Sequence, residues 1–146
     1  MGFRCGTATH ALRLIGSGLF DEYPKLRVLL GHLGEGLPFS IWRFEHRNLV
    51  DPRGMKLDKK ASFYFYENFY VTTSGNFRTQ ALINTILEMG ADHILYSTDY
   101  PMESMVECDE WFKSVDISLE DQIKIGRLNA LKLFGLETKL SKEAAA

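Results

Sequence analysis

Two short stretches carry the residues whose types and spacing could do chemistry. His93-Ile94-Leu95-Tyr96-Ser97-Thr98-Asp99-Tyr100-Pro101 starts as an apolar run and ends in a carboxylate followed by a proline. Val28-Leu29-Leu30-Gly31-His32-Leu33-Gly34-Glu35-Gly36 has the same form and ends in a histidine and a glutamate among three glycines. A buried strand closed by a turn reads this way. In parallel α/β proteins, ligands bind where such strands end. Asp99, His32 and Glu35 are therefore candidates for proton transfer or metal ligation at one rim, which points to an active site and not only to a fold.

The elements that must position them can be read in order. Residues 7–19 have helical spacing, with Leu12, Ile15 and Leu19 on one face and Thr7 or Thr9 as a possible cap. Gly16 and Gly18 mark close packing or the helix end. Residues 20–24 turn. Strands are expected near 27–31, 69–73 and 93–98, from their β-branched and aromatic content. A helix follows from Pro38 and is broken at 51–54. The aromatic run Phe63-Tyr64-Phe65-Tyr66 fits either a short helix or an irregular segment. Residues 79–89 read as a helix with Ala81, Leu82, Ile83, Ile86 and Leu87 as its apolar face and Gly90 as its stop. Loop and helix follow over 102–112. A last helix starts at Ser118, with Asp121 three residues on, and runs to about Phe134. The tail, 137–146, is polar, alanine-rich and expected to fray. Strands alternating with helices predict an α/β chain with a parallel sheet and right-handed crossovers.

Bulk properties exclude several classes. A chain of 146 residues fits one domain and can bury a core. A net charge of −2 gives no reason to expect nucleic acid or an anionic membrane as partner. Cys5 and Cys108 are far apart and form neither a disulfide framework nor a zinc knuckle, so free thiols in a cytoplasmic protein are expected. No apolar run approaches the ~20 residues of a membrane span.

Four motifs in order carry a resemblance. Gly31-His32-Leu33-Gly34-Glu35-Gly36-Leu37-Pro38, then Trp42-Arg43, then Thr72-Thr73-Ser74-Gly75, then Tyr96-Ser97-Thr98-Asp99-Tyr100-Pro101 resemble the C-terminal half of metal-dependent decarboxylases of the amidohydrolase superfamily. The likeness is to the 2,3-dihydroxybenzoate and γ-resorcylate decarboxylases. Thr9-His10-Ala11-Leu12-Arg13-Leu14 and Ile125-Gly126-Arg127-Leu128-Asn129-Ala130 are similar to that subgroup too. The resemblance implies about three βα units of a (β/α)8 barrel, so that residues 1–146 form a partial amidohydrolase-related domain. It implies one divalent metal ion (zinc, manganese or magnesium), with Asp99 as ligand and His32 as a second possibility. It implies that Asp99, His32 and Glu35 are catalytic, Glu35 orienting the histidine. The implied substrate is a small aromatic carboxylic acid, a hydroxybenzoate that loses carbon dioxide, and the implied assembly is a dimer or tetramer of identical chains.

The sequence also departs from that pattern. The family's acidic-x-His metal motif and its middle-strand histidine have no counterpart before His10. A whole barrel needs eight strands and typically ~250 residues. Three strands predict a truncated form. Two other readings therefore stand beside the decarboxylase: a hydrolase of the same superfamily acting on an amide or lactone, and a barrel remnant that acts only by association. Outside the three candidates, structural roles are expected. His10 reads as a buried, hydrogen-bonded histidine, His46 and His93 as structural or exposed, Phe63 to Tyr66 as core or subunit contact, and Ser74 and Asn76 as turn residues.

Overall fold

A computed structural model describes residues 2–52 and 55–136 of the chain. The expectations for Gly54, the 137–146 tail and the Cys5 thiol lie outside the described residues and side chains. The element order is α1 (Gly2–Gly16), α2 (Leu19–Glu22), β1 (Val28–Leu30), α3 (Leu37–Val50), α4 (Ala61–Asn68), β2 (Phe69–Thr72), α5 (Thr79–Met89), β3 (Ile94–Leu95), α6 (Met105–Ser114), α7 (Leu119–Ile123) and α8 (Asn129–Leu133). The sheet is parallel, in the order β1-β2-β3. Leu30 pairs with Val71, and Thr72 with Leu95, so the C-terminal ends of all three strands meet at one rim.

Apolar burial holds this sheet. Phe69 and Val71 of β2 and Ile94 of β3 are fully buried. At the N-terminal end of β2, Phe69 packs edge-on to Phe20 at 5.2 Å and against Phe65 at 5.8 Å. Each such ring removed from water is worth roughly 1.5–3 kcal/mol. The aromatic run is thus α4 and mainly core, with Tyr64 and Phe65 buried and Phe63 partly exposed. The Tyr64 hydroxyl donates to the Asp21 carboxylate and accepts the Lys59 N–H at 3.0 Å. Buried Asn129 donates to the carbonyls of Ala91 and Ile94, both at 2.7 Å, and so ties α8 to the start of β3.

Several boundaries differ from the sequence reading. α1 starts at Gly2, so Thr7 and Thr9 lie inside it and not at its start. Residues 19–22 add a helical turn where only a loop was expected. The third strand is two residues long, not six. The cause is local. Beyond Leu95 the backbone stays bonded but leaves the ladder: Tyr96 N–H donates to the Ile125 carbonyl at 3.0 Å, and the Thr73 side chain takes both groups of Ser97. On α5 the buried face is Leu82, Thr85 and Met89, while Leu87 is 81% exposed. Spacing of three and four along 82, 85 and 89 decides this, because those positions share one face. Ser118 caps α7 by accepting the Asp121 N–H, and Gly90 ends α5, both as the sequence predicts.

Candidate active site

The connection after β1 has an unusual backbone. His32, Leu33, Gly34, Glu35 and Gly36 all have positive φ, from 53° to 83°. Left-handed turns cost L-residues roughly 1–2 kcal/mol each, and strain of this kind clusters at functional sites. The described residues include four non-glycine positions with positive φ: His32, Leu33, Glu35 and Asp99. Three of them are the residues the sequence singled out. The left-handed turn also explains their spacing, because it folds the Glu35 side chain back over His32, three residues earlier.

The side chains meet at the C-terminal rim. His32 Nδ1 lies 2.5 Å from Glu35 Oε1, and His32 Nε2 lies 3.1 Å from Asp99 Oδ2. The Glu35 side chain is 5% exposed, whereas His32 and Asp99 are 40% and 37% exposed. The arrangement is a line of carboxylate, imidazole and carboxylate, closed at the glutamate and open at the aspartate. Both ring nitrogens can donate at once only in the imidazolium form. Burial by itself would lower the His32 pKa, but the hydrogen bonds to Asp99 and Glu35 outweigh it and hold it above the ordinary 6.5. A buried carboxylate behind the ring fixes its orientation, as in other histidine-centred sites.

The Asp99 backbone is fixed as well. Its carbonyl accepts the N–H groups of Met102 at 2.8 Å and Glu103 at 3.2 Å, in the turn that holds the cis Tyr100–Pro101 bond. Asp99 Oδ1 makes no hydrogen bond to a described side chain, so the carboxylate keeps one oxygen for a ligand.

A metal ion is less well provided for. Among the described residues no group of three or more His, Cys, Asp or Glu side chains could hold one. Both nitrogens of His32 already face carboxylates, which leaves it no lone pair to offer while they do so. Asp99 keeps an oxygen with free capacity. The residues present do not amount to a metal site, since a divalent ion takes several ligands.

The remaining histidines stand apart. His10 is exposed on α1 and not buried as the sequence reading expects, and His46 is exposed and stacked on Trp42 at 5.0 Å. His93 packs edge-on to Tyr70 at 4.8 Å, at the far end of β3. Sequence reasoning under-read Thr73, Ser74 and Gly75. Ser74 Oγ accepts the His32 backbone N–H at 3.3 Å and pairs with Thr72 Oγ1 at 2.8 Å. Asn76 N–H closes a turn on the Thr73 carbonyl, as expected of a turn residue. The signal was present: two hydroxyl residues and a glycine follow a strand that lies between the other two.

Comparison with known proteins agrees with this fold. The chain is 57% identical over 132 residues to a γ-resorcylate decarboxylase of Polaromonas sp. strain JS666, covering 89% of this chain and 40% of that one. It superposes on a dihydroxybenzoic acid decarboxylase from Polaromonas sp. JS666, solved with manganese and the inhibitor 2-nitroresorcinol, with a TM-score of 0.88 and 55% identity. That match covers 92% of this chain and 41% of the other. A 2,6-dihydroxybenzoate decarboxylase from Rhizobium gives a TM-score of 0.88 at 52% identity, over 92% and 42% of the two chains. The chain thus spans about two-fifths of the length of each of these proteins. The Amidohydro_2 amidohydrolase family matches residues 2–136, and the chain belongs to that family.

Proposed function

We propose that this chain carries the proton-delivering part of a metal-dependent, non-oxidative hydroxybenzoate decarboxylase. The observation that carries the reading is the Glu35–His32–Asp99 line, on strained backbone at a strand-end rim. The relatives' names support the reaction class and a dihydroxybenzoate as the substrate. Under this reading the three strands are consecutive strands of a (β/α)8 barrel, and residues 1–146 are one part of that domain.

The chemistry follows from the carboxylate–imidazole pair. Losing carbon dioxide from an aromatic acid requires a proton at the ring carbon that bears the carboxylate. That carbon gains a C–H bond, the C–C bond then breaks, and its electron pair restores the aromatic ring. One carbon dioxide and one arene leave. The proton shared between His32 Nε2 and Asp99 Oδ2 sits at the open end of the line, where a substrate can reach it. Asp99 is the donor to carbon, and His32 returns its proton. Glu35, buried behind the ring, stabilises the imidazolium and keeps it aimed at Asp99. A single acid at the right distance can supply ~10²–10⁴-fold in rate.

Asp99 is also the residue we assign to a divalent ion, the manganese of the Polaromonas relative being the precedent. The other ligands would come from outside the described residues. A homo-oligomer and a cytoplasmic setting go with the same reading and rest on the resemblance.

The test is a completed barrel, in which residues 2–136 replace the matching stretch of the Polaromonas γ-resorcylate decarboxylase. With Mn²⁺ and 2,6-dihydroxybenzoate it should release carbon dioxide and the arene one for one. A folded, manganese-loaded barrel that hydrolyses amides or lactones and releases no carbon dioxide from hydroxybenzoates would overturn the proposal in favour of a hydrolase.

A further inference from the structure

We propose that the end of the middle strand, Thr73-Ser74-Gly75, sets the separation of His32 and Asp99, with Gly75 as a positioning residue whose absent side chain permits their contact. The inference rests on the reading that His32 and Asp99 work as one unit, but its test does not use catalysis.

His32 and Asp99 follow the two outer strands, β1 and β3, which do not touch each other. Something on β2 must therefore fix the distance between them. Successive residues do this in opposite directions. Thr73 Oγ1 donates to the Ser97 carbonyl at 2.8 Å and accepts the Ser97 N–H at 2.9 Å, two residues before Asp99. Gly75 N–H donates to the Thr98 carbonyl at 3.4 Å, one residue before Asp99. Between them, Ser74 Oγ accepts the His32 N–H at 3.3 Å, braced by Thr72 Oγ1 at 2.8 Å. Thr73 and Ser74 are buried, so these bonds are shielded from competing water.

Gly75 then lies against the pair itself. A Cβ on Gly75 would come within 2.7 Å of His32 Cδ2, 3.1 Å of His32 Nε2 and 3.2 Å of Asp99 Oδ2. Those atoms are the two sides of the His32–Asp99 hydrogen bond. Its φ of +61° also favours glycine. Any side chain at 75 must push the imidazole off the carboxylate or move the strand ends apart. Gly18 separates the two effects. It has a comparable φ of +79°, yet the nearest atom to its Cβ position is Asp21 Oδ2 at 4.0 Å.

The experiment uses the 146-residue chain with ¹⁵N-labelled histidine and no metal. Ring-nitrogen shifts and proton exchange report whether His32 Nε2 is hydrogen-bonded. Gly75→Ala should move the Nε2 signal towards that of a free imidazole and speed exchange of its proton at least about tenfold, the size expected for one lost hydrogen bond. The Nδ1 signal facing Glu35 should move less. Gly18→Ala should leave both unchanged. Unaltered His32 signals in folded Gly75→Ala overturn the proposal, and so do equal changes in the two variants. Should Gly75→Ala not fold, Ser74→Ala decides: faster exchange of the His32 amide with a displaced Nε2 signal supports the proposal, and unchanged signals overturn it. A decarboxylase reading that fails while these shifts appear leaves the positioning role standing.

Discussion

His93 and His32 sit at opposite ends of the same three strands, and burial lowers the proton affinity of both rings. At the N-terminal end nothing reverses that. His93 packs against Tyr70, its buried Nδ1 has no hydrogen-bond partner among the described residues, and Glu67 and Asp92 act only as nearby charges. Its pKa is therefore lowered. At the C-terminal end two carboxylates bond the ring directly, and the pKa of His32 is raised. One end is closed by Phe20, Phe65, Phe69 and Asn129 and stabilises the fold. The other carries left-handed backbone, a buried glutamate and a half-exposed aspartate, and raises the proton affinity of His32. Partners, not burial or residue type, decide which histidine binds its proton more tightly.

This contrast can be broken most forcefully with the core. Phe69→Ala should cost about 3–5 kcal/mol, because Phe69 is fully buried and packed against the rings of Phe20 and Phe65. Asp99→Asn should cost less than about 1 kcal/mol, since its ion pair is partly exposed. Urea unfolding of both variants checks the pair, and equal losses would erase the distinction between the two ends. Asn129→Ala comes next, at about 1–3 kcal/mol, because it leaves the Ala91 and Ile94 carbonyls without their donor. An unchanged urea midpoint would show that α8 does not anchor β3.

The pH dependence sharpens the contrast further. His32 has a raised folded-state pKa, so its contribution is fully present below 6.5 and is lost as pH rises through the folded value. His93 has a lowered one, so its contribution is present above 6.5 and is lost as pH falls through the folded value. An NMR titration of the metal-free chain should place the two midpoints on opposite sides of 6.5, and midpoints on the same side would contradict the account. The smallest effect is Glu35→Gln. It removes one of the two carboxylates holding the imidazolium and should lower the His32 midpoint towards 6.5, which the same titration reads.

The sequence made part of this legible. Asp99, His32 and Glu35 could be picked out because strand ends gather ligand groups, and the strand ends do meet. The helix over 79–89 and the Ser118 cap were legible because their signals are local. The short third strand was not, since Thr73 replaces ladder bonds with a side chain from a neighbouring strand. The role of Gly75 was not legible either, because the reason for it is a contact with residues 43 and 24 positions away. The Leu87 error came from taking every apolar residue of α5 as core, although a helix beside a small sheet buries one narrow face.

The most direct measurement is the rate of carbon dioxide release from 2,6-dihydroxybenzoate by the completed, manganese-loaded barrel, with Asp99 and with Asp99→Asn. The account predicts a loss of at least ~10²-fold with the fold and substrate binding retained, the scale of a missing general acid. An Asp99→Asn barrel that works at the full rate would contradict it, because the Glu35–His32–Asp99 line would then not be what delivers the proton.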